Sequence, residues 1–170
     1  MRKYGIDGIA AFAVFSGSAA LGIVLWLQFD QGIAPCSLCI DQRLADLLMI
    51  ASAAGAILWR GGMRPALLGV AALAALGGAA AGAWQWHLVA MAPQVESCSA
   101  VRFLETPPAW GPWGSDFAAS LSGQGSCVTA GSKRWLGLPI THWSVLVFTA
   151  NALLLGFAAC GALTCQRPSK

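Results

Sequence analysis

The stretch GIAAFAVFSGSAALGIVLWLQF (residues 8–29) contains 22 residues and no charged side chain. A helix needs about 20 apolar residues to cross a bilayer, so this stretch predicts a membrane-spanning helix. It is too long for the core of a signal peptide and no convincing cleavage site follows it, which favours a retained helix. Apolar residues make up 57% and charged residues 10% of the chain, whose mean hydropathy is +0.66. The predicted class is an all-α integral membrane protein.

Three further apolar runs complete a predicted four-transmembrane-helix bundle. The second run contains Asp46 and reaches membrane length only when it is extended back toward Pro35. Between the third and fourth runs lies a long loop in which Ser115-Asp116 offers a helix N-cap, followed by apolar residues at helical spacing, so we expect a short interfacial helix there. The chain is one domain (1–170), with helices at about 8–29, 36–59, 65–90 and 143–163 and loops on one side at about 30–35 and 91–142.

The distribution of basic residues predicts the orientation in the membrane. With four spans, the two termini and the turn at residues 60–64 share one side. The basic residues on that side are Arg2, Lys3, Arg60, Arg64, Arg167 and Lys170, against Asp7 alone. The loops on the other side are longer and contain more acidic residues. The positive-inside rule therefore predicts that both termini are cytoplasmic and that the loops at 30–35 and 91–142 lie on the other side, which in the inner membrane of a bacterial cell is the periplasm.

The dithiol motif Cys36-Ser37-Leu38-Cys39 follows the first apolar run directly. If the second helix begins at Pro35, then Cys36, Cys39 and Arg43 lie along one stripe near a helix N-terminus, where a thiolate is favoured. Arg43 keeps its charge and can donate hydrogen bonds to a quinone carbonyl oxygen as negative charge develops there. Two simpler roles for Arg43 stay open, which are an anchor at the lipid headgroups and an ion pair with Asp46.

The other cysteines divide by side of the membrane. Cys98 and Cys127 lie in the second periplasmic loop, where disulfides persist, and they suit either a static bridge or exchange with the first pair. Cys160 and Cys165 lie near the cytoplasmic end of the fourth helix and are interpreted as apolar packing residues or free thiols.

Within the helices, Gly78 and Gly82 are four residues apart and predict close helix packing, and Asn151 predicts an interhelical hydrogen-bond donor.

The chain resembles the DsbB family of quinone-linked membrane thiol oxidases over nearly its whole length. The matching residues are Pro35-Cys36-Ser37-Leu38-Cys39-Ile40, Gln42-Arg43, Gln85, His87, Cys98, Val101-Arg102-Phe103, Gly125-Ser126-Cys127, Trp135-Leu136-Gly137-Leu138 and Trp143.

The resemblance implies the chemistry of these residues. It implies disulfides Cys36–Cys39 and Cys98–Cys127, with Cys98 attacked by a reduced periplasmic partner of the DsbA type. Electrons would then pass through a transient Cys36–Cys127 disulfide to Cys39, and on to a membrane quinone, ubiquinone or menaquinone. Arg43 would polarise the quinone oxygen. His87 is a candidate for the same pocket, although interfacial packing is the simpler role for it.

Two other functions fit parts of the sequence. A vitamin K epoxide reductase-like oxidoreductase has a comparable four-helix site, but it places its CxxC motif on a late helix. A metal-binding membrane protein would use Cys36, Cys39, Cys98 and Cys127 as an all-thiolate zinc site, although the chain lacks a second CxxC. The expected cofactor is the quinone, and we expect no metal. The expected partners are the DsbA-like protein, the quinone pool and the lipid bilayer. We expect no nucleic-acid partner, because the sequence contains no basic patch.

Overall fold

The computed structural model describes residues 2–32, 35–91 and 125–166 of the chain. Four long helices dominate it, and a short helix and a small hairpin precede the last of them. In chain order the elements are α1 (Arg2–Gln31), α2 (Ser37–Leu58), α3 (Arg64–Ala90), α4 (Cys127–Ser132), β1 (Arg134–Trp135), β2 (Leu138–Pro139) and α5 (Ile140–Gln166). The four long helices lie where the apolar runs predict them, and α1 and α5 extend beyond those runs at both ends.

Three of the long helices are membrane-spanning candidates in the described part of the chain. Residues 5–31 of α1, all of α3 and residues 140–164 of α5 are long and apolar enough to cross a bilayer. Helix α2 is not among them, because Asp41, Arg43 and Asp46 lie in its first half. The prediction of an all-α membrane protein is therefore confirmed, and the prediction of a fourth span stays a prediction.

The long helices alternate in direction around a closed bundle. Each one packs on two neighbours, in the order α1, α2, α3, α5 and back to α1. At one end of the bundle Asp7 of α1 forms ion pairs with Arg60 and Arg64, which flank the turn between α2 and α3. The start of α2, the end of α3 and the start of α5 therefore lie together at the opposite end, which is where the dithiol motif is found.

Small residues form most of the bundle core. Buried alanines line the faces of α1, α2, α3 and α5 that meet, together with Met49, Leu68, Phe148 and Leu155. Small side chains let helix backbones approach closely where surrounding lipid provides no hydrophobic driving force. Gly78 faces the ring of Phe148, and Gly82 faces Ser144 and Val145, so the predicted role of this glycine pair in helix packing is confirmed.

Asn151 makes an interhelical hydrogen bond, but as the acceptor and not as the predicted donor. Its side-chain oxygen accepts from the Ser16 hydroxyl of α1 at 3.1 Å, and its amide donates within α5 to the Val147 carbonyl at 2.9 Å. The donor prediction was wrong because the NH₂ group is directed toward the Val147 carbonyl of the same helix, which leaves the amide oxygen facing α1.

The segment before α5 contains structure that the sequence did not predict. Helix α4 and the antiparallel pair β1–β2 lie in a region predicted as loop, and α5 begins at Ile140 instead of 143. Leu136 and Gly137 connect the two strands with φ values of 50° and 85°, as a type I′ turn requires. The Trp143 indole donates to the Trp135 carbonyl at 3.0 Å and fixes the hairpin on α5. The interfacial helix predicted after Ser115 lies outside the described residues.

We expect Gly78→Ala to destabilise the bundle, because the added Cβ would lie 2.5 Å from the Phe148 ring. Overpacking of this kind costs about 1–3 kcal/mol in the free energy of unfolding. The matched control is Gly77→Ala on the same helix, where a Cβ meets no atom within 4 Å. Thermal unfolding in detergent measures both variants, and equal melting temperatures for the two would contradict the contact.

Candidate active site at the dithiol

Helix α2 begins at the dithiol motif. Cys36 is the N-cap, with extended backbone angles (φ −87°, ψ 170°), and its sulfur accepts a hydrogen bond from the Cys39 backbone N–H at 3.3 Å. The helix therefore starts at Ser37, two residues later than a start at Pro35 would give. The reason is that the thiol itself supplies the acceptor that an exposed N–H in the first turn needs.

Capping brings the two sulfurs together. The Sγ atoms of Cys36 and Cys39 are 2.7 Å apart, and both residues are free thiols in this structure. Cys36 is completely buried, whereas Cys39 is partly accessible. The Arg43 guanidinium interacts electrostatically with both sulfurs from the next turn of α2. The pair is positioned to form the predicted disulfide, and that disulfide stays a prediction.

Gln85 reaches the dithiol from the neighbouring helix α3. It is only 3% exposed, and its Nε2 lies 3.6 Å from each of the two sulfurs. The same nitrogen lies 3.5 Å from the Cys127 carbonyl oxygen. One amide group therefore contacts both the dithiol and the segment that contains Cys127.

Two further side chains fix the orientation of this amide. Gln42 donates to the Gln85 Oε1 at 2.8 Å, and the Ser144 hydroxyl donates in turn to the Gln42 Oε1. Because its oxygen is occupied, the Gln85 amide presents its NH₂ group to the sulfurs. This series of hydrogen bonds joins α5, α2 and α3 next to the dithiol.

The Cys127 segment is held against the start of α2. The Gly125 N–H donates to the Pro35 carbonyl at 2.9 Å, and Cys127 packs with Cys36 in one buried cluster that also contains Leu38 and Ala130. In α4, a Cβ on Gly131 would lie 3.1 Å from the Gln85 nitrogen, so the absence of a side chain allows this close approach. Cys127 is disulfide-bonded, and its predicted partner Cys98 lies outside the described residues.

A cavity of about 350 Å³ opens beside the dithiol, between α1, α2 and α5. Cys39 and Arg43 line it, together with Gln42, Gln85 and Asp46. Most of the remaining wall is apolar or aromatic and comes from α1, the hairpin and α5; examples are Val24, Leu27, Trp135, Trp143 and Phe148. Its volume is in the range of small-molecule sites, and it combines apolar walls with a few polar groups at defined positions.

The structure places the predicted site residues differently, apart from Cys98, which lies outside the described residues, and it also locates one of the two cysteines predicted to have no redox role. Cys36, Cys39, Arg43 and Cys127 are brought together at one end of the bundle, as the preceding contacts describe. His87 is exposed, stacks on Trp84 with ring centroids 5.6 Å apart, and does not line the cavity. Cys160 is an exposed free thiol on α5, and the side chain of Cys165 lies outside the described residues.

Gln42 and Gln85 were not predicted as site residues, although both belong to the pattern that resembles a known family. Their role depends on which face of each helix points inward, and one sequence does not determine that rotation. The four-cysteine zinc site also depends on Cys98. Among the residues that the structure describes, no three His, Cys, Asp or Glu side chains are placed to hold a metal.

Comparison with known proteins gives a consistent result. The family described as disulfide bond formation protein DsbB matches residues 7–158. A disulfide bond formation protein B from Azoarcus sp. (strain BH72) is 36% identical over 148 residues, covering 86% of this chain and 86% of the relative. Proteins of the same name from Chromohalobacter salexigens (34% over 146 residues; 82% of each chain) and Chromobacterium violaceum (34% over 142 residues; 81% of this chain and 82% of the relative) are also similar.

The comparison with solved structures found no match. The family match nevertheless covers most of the chain, including the dithiol, Arg43, Gln85 and the Cys127 segment. We conclude that this chain belongs to the DsbB family of disulfide bond formation proteins.

Proposed function

We propose that this protein oxidises the dithiol of a DsbA-like thioredoxin-fold protein in the periplasm and passes the two electrons to a membrane quinone. Membership of the DsbB family makes it an oxidoreductase of disulfide bond formation and disfavours the vitamin K epoxide reductase-like alternative. The observation that carries the proposal is the pair of free thiols at Cys36 and Cys39, of which Cys39 lines a cavity that Arg43 also lines.

The family and the apolar helices make the chain a multi-pass protein of the bacterial inner membrane. We propose that α2 is its fourth span. The ion pairs of Asp7 lie next to the C-terminal end of α2, and the dithiol lies at its other end, so the helix runs the length of the bundle, which supports this assignment. Its 22 residues give a length of about 33 Å, close to the thickness of the hydrocarbon core. The basic residues then favour cytoplasmic termini and periplasmic redox cysteines.

The electron path uses two disulfides in turn. A thiolate of the partner attacks Cys98 in the Cys98–Cys127 disulfide, and the thiolate of Cys127 is released. That thiolate attacks Cys36 in the Cys36–Cys39 disulfide, which leaves Cys39 as the thiolate. The burial of Cys127 against Cys36 supports this order. The role of Cys98 rests on the resemblance to the family. The partner's second thiolate then attacks the partner–Cys98 disulfide and releases Cys98, whose thiolate attacks Cys127 in the Cys36–Cys127 disulfide and releases Cys36. The Cys36–Cys39 dithiol gives two electrons and two protons to the quinone and becomes a disulfide again. Overall, the partner loses two electrons and two protons and the quinone gains them as quinol.

The cavity fits a quinone head group. Its apolar and aromatic walls suit a ring with an isoprenoid tail, and Cys39 at one end is the thiol that is accessible from it. Arg43 lies one turn further along α2 and can donate hydrogen bonds to a carbonyl oxygen while its charge stabilises negative charge that develops there. Both ubiquinone and menaquinone have the ring and the carbonyl oxygens that these groups would contact.

Gln85 links the two halves of the path. Its NH₂ group contacts both sulfurs of the inner pair, Cys36 and Cys39, and the backbone of Cys127. A donor in this position stabilises whichever sulfur is the thiolate during exchange and holds the Cys127 segment within reach of Cys36. We therefore assign Gln85 as a positioning residue of the exchange step.

We expect Cys36→Ser and Cys39→Ser each to abolish turnover, because either change removes the inner disulfide. The assay mixes purified protein, a reduced DsbA-like protein and a short-chain quinone, and it follows quinone absorbance. Cys160→Ser and Cys165→Ser are the matched controls and should retain full activity. Turnover that survives the loss of both Cys36 and Cys39 would contradict the electron path.

For Arg43→Ala we expect the apparent KM for the short-chain quinone to rise about tenfold, which corresponds to the loss of one charge-assisted hydrogen bond. The control is Arg60→Ala, since Arg60 is 74% exposed at the other end of the bundle. An unchanged KM in Arg43→Ala would leave Arg43 as an anchor at the lipid headgroups.

In Gln85→Leu, transfer of electrons from Cys127 to the Cys36–Cys39 disulfide should slow about fivefold to tenfold, since the variant loses about 1 kcal/mol of hydrogen bonding to the thiolate. The rate is measured without quinone, by rapid acid quenching and alkylation after mixing with reduced partner. Trp84→Phe serves as the control, because Trp84 lies one residue earlier on an exposed face of α3. Equal rates in wild type and Gln85→Leu would refute the positioning role.

A further inference from the structure

The cavity beside the dithiol contains a buried carboxyl group that the proposed electron path does not use. Asp46 lines the cavity and is only 5% exposed. Within the described residues, no group donates a hydrogen bond to its carboxyl and no ion pair reaches it, so the Arg43–Asp46 ion pair considered from the sequence is not formed. An unpartnered carboxyl at this depth is costly and calls for an explanation.

The position of Asp46 places it deeper in the cavity than Cys39 and Arg43. The three residues are at i, i+4 and i+7, so they follow one stripe of α2. Asp46 lies about 4.5 Å further along the helix axis than Arg43 and about 10 Å further than Cys39, at 1.5 Å per residue. The cavity therefore has a polar group at its far end as well as at the dithiol end.

A purely structural role for Asp46 finds no support in its neighbours. The backbone of α1 approaches it closely at Gly17, where an added Cβ would lie 2.7 Å from the carboxyl oxygen. The Ser16 hydroxyl of α1 lines the same cavity, but its single hydrogen is directed to the Asn151 oxygen and the Ala13 carbonyl, which share it. The carboxyl packs tightly against α1 without bonding to it.

Burial determines which form of Asp46 a ligand would meet. Charge is expensive among apolar walls, so an unpaired carboxyl is favoured as the neutral acid. A neutral carboxylic acid has one O–H donor. The far end of the cavity thus offers a hydrogen-bond donor to which the described residues present no acceptor, and a ligand with an acceptor there would offset the cost of burying it.

We propose that Asp46 recognises the quinone by donating a hydrogen bond to the carbonyl oxygen that is remote from Cys39 and Arg43. The inference rests on the proposed function, since it takes the quinone as the occupant of the cavity. It makes Asp46 a specificity residue for acceptors with carbonyl oxygens on opposite edges of the ring. Asp46 retains its proton, and the two protons gained by the quinone come from the dithiol.

The test is a substitution series at Asp46, measured as the apparent KM and kcat for a short-chain para-quinone. Asp46→Leu removes the donor, so we expect KM to rise about fivefold to tenfold with little change in kcat. Asp46→Asn retains an N–H donor and should stay within about threefold of the wild-type KM. Ser52→Ala is the control, because Ser52 is a buried polar residue of α2 that does not line the cavity.

The outcomes separate this inference from the proposed function. A wild-type KM in Asp46→Leu, or an equal loss in Asp46→Asn and Asp46→Leu, would overturn the hydrogen bond while quinone reduction stands. A wild-type protein that reduces no quinone would overturn the proposed function, and this inference with it. Thermal unfolding checks that each variant is folded, and Asp46→Ala, which carries the same expectation, replaces Asp46→Leu if the larger side chain disrupts packing against α1.

Discussion

The hydrogen bonds of Gln85 are the constraint on which the arrangement of the site depends. One buried amide contacts the sulfurs of Cys36 and Cys39 and the carbonyl of Cys127, so it fixes α2, α3 and α4 relative to one another. The amide is itself oriented by Gln42 and Ser144, which extends the constraint to α5. Buried polar groups in a membrane bundle must find partners inside the protein, and here those partners are the reactive groups.

Much of the fold follows from the sequence because its main signal is local. Apolar runs of membrane length predict the four long helices, and the spacing of Cys39 and Arg43 predicts that both face one side of α2. The contacts between helices were harder to predict from the sequence. The polarity of the Asn151 hydrogen bond, the role of Gln85 and the exposure of His87 all depend on the rotation of each helix in the bundle. Helix α4 and the hairpin were missed because they are too short to produce a periodic pattern.

The two proposals concern opposite ends of one cavity. At the dithiol end, Cys39 and Arg43 are polar groups that a reactive acceptor would contact. At the far end lies the buried carboxyl group of Asp46, which the second proposal makes a hydrogen-bond donor. A flat ring with two carbonyl oxygens has acceptors at matching positions. The apolar wall between these ends would bind the ring by excluding water from it, and the polar groups would set the orientation of the ring in the cavity.

The complete burial of Cys36 separates the two redox partners of the inner pair. Cys36 faces Cys127 in a closed cluster, whereas Cys39 faces the cavity, so each sulfur meets a different reactant. In the proposed pathway this division keeps the two reactants on different sulfur atoms. The Cys39 sulfur lies 2.7 Å from that of Cys36, and of the three cysteines described at this end of the bundle, only Cys39 lines the cavity. On that pathway, the packing of Cys36 would keep the periplasmic partner and the acceptor apart, and electrons would pass from one to the other only through Cys39.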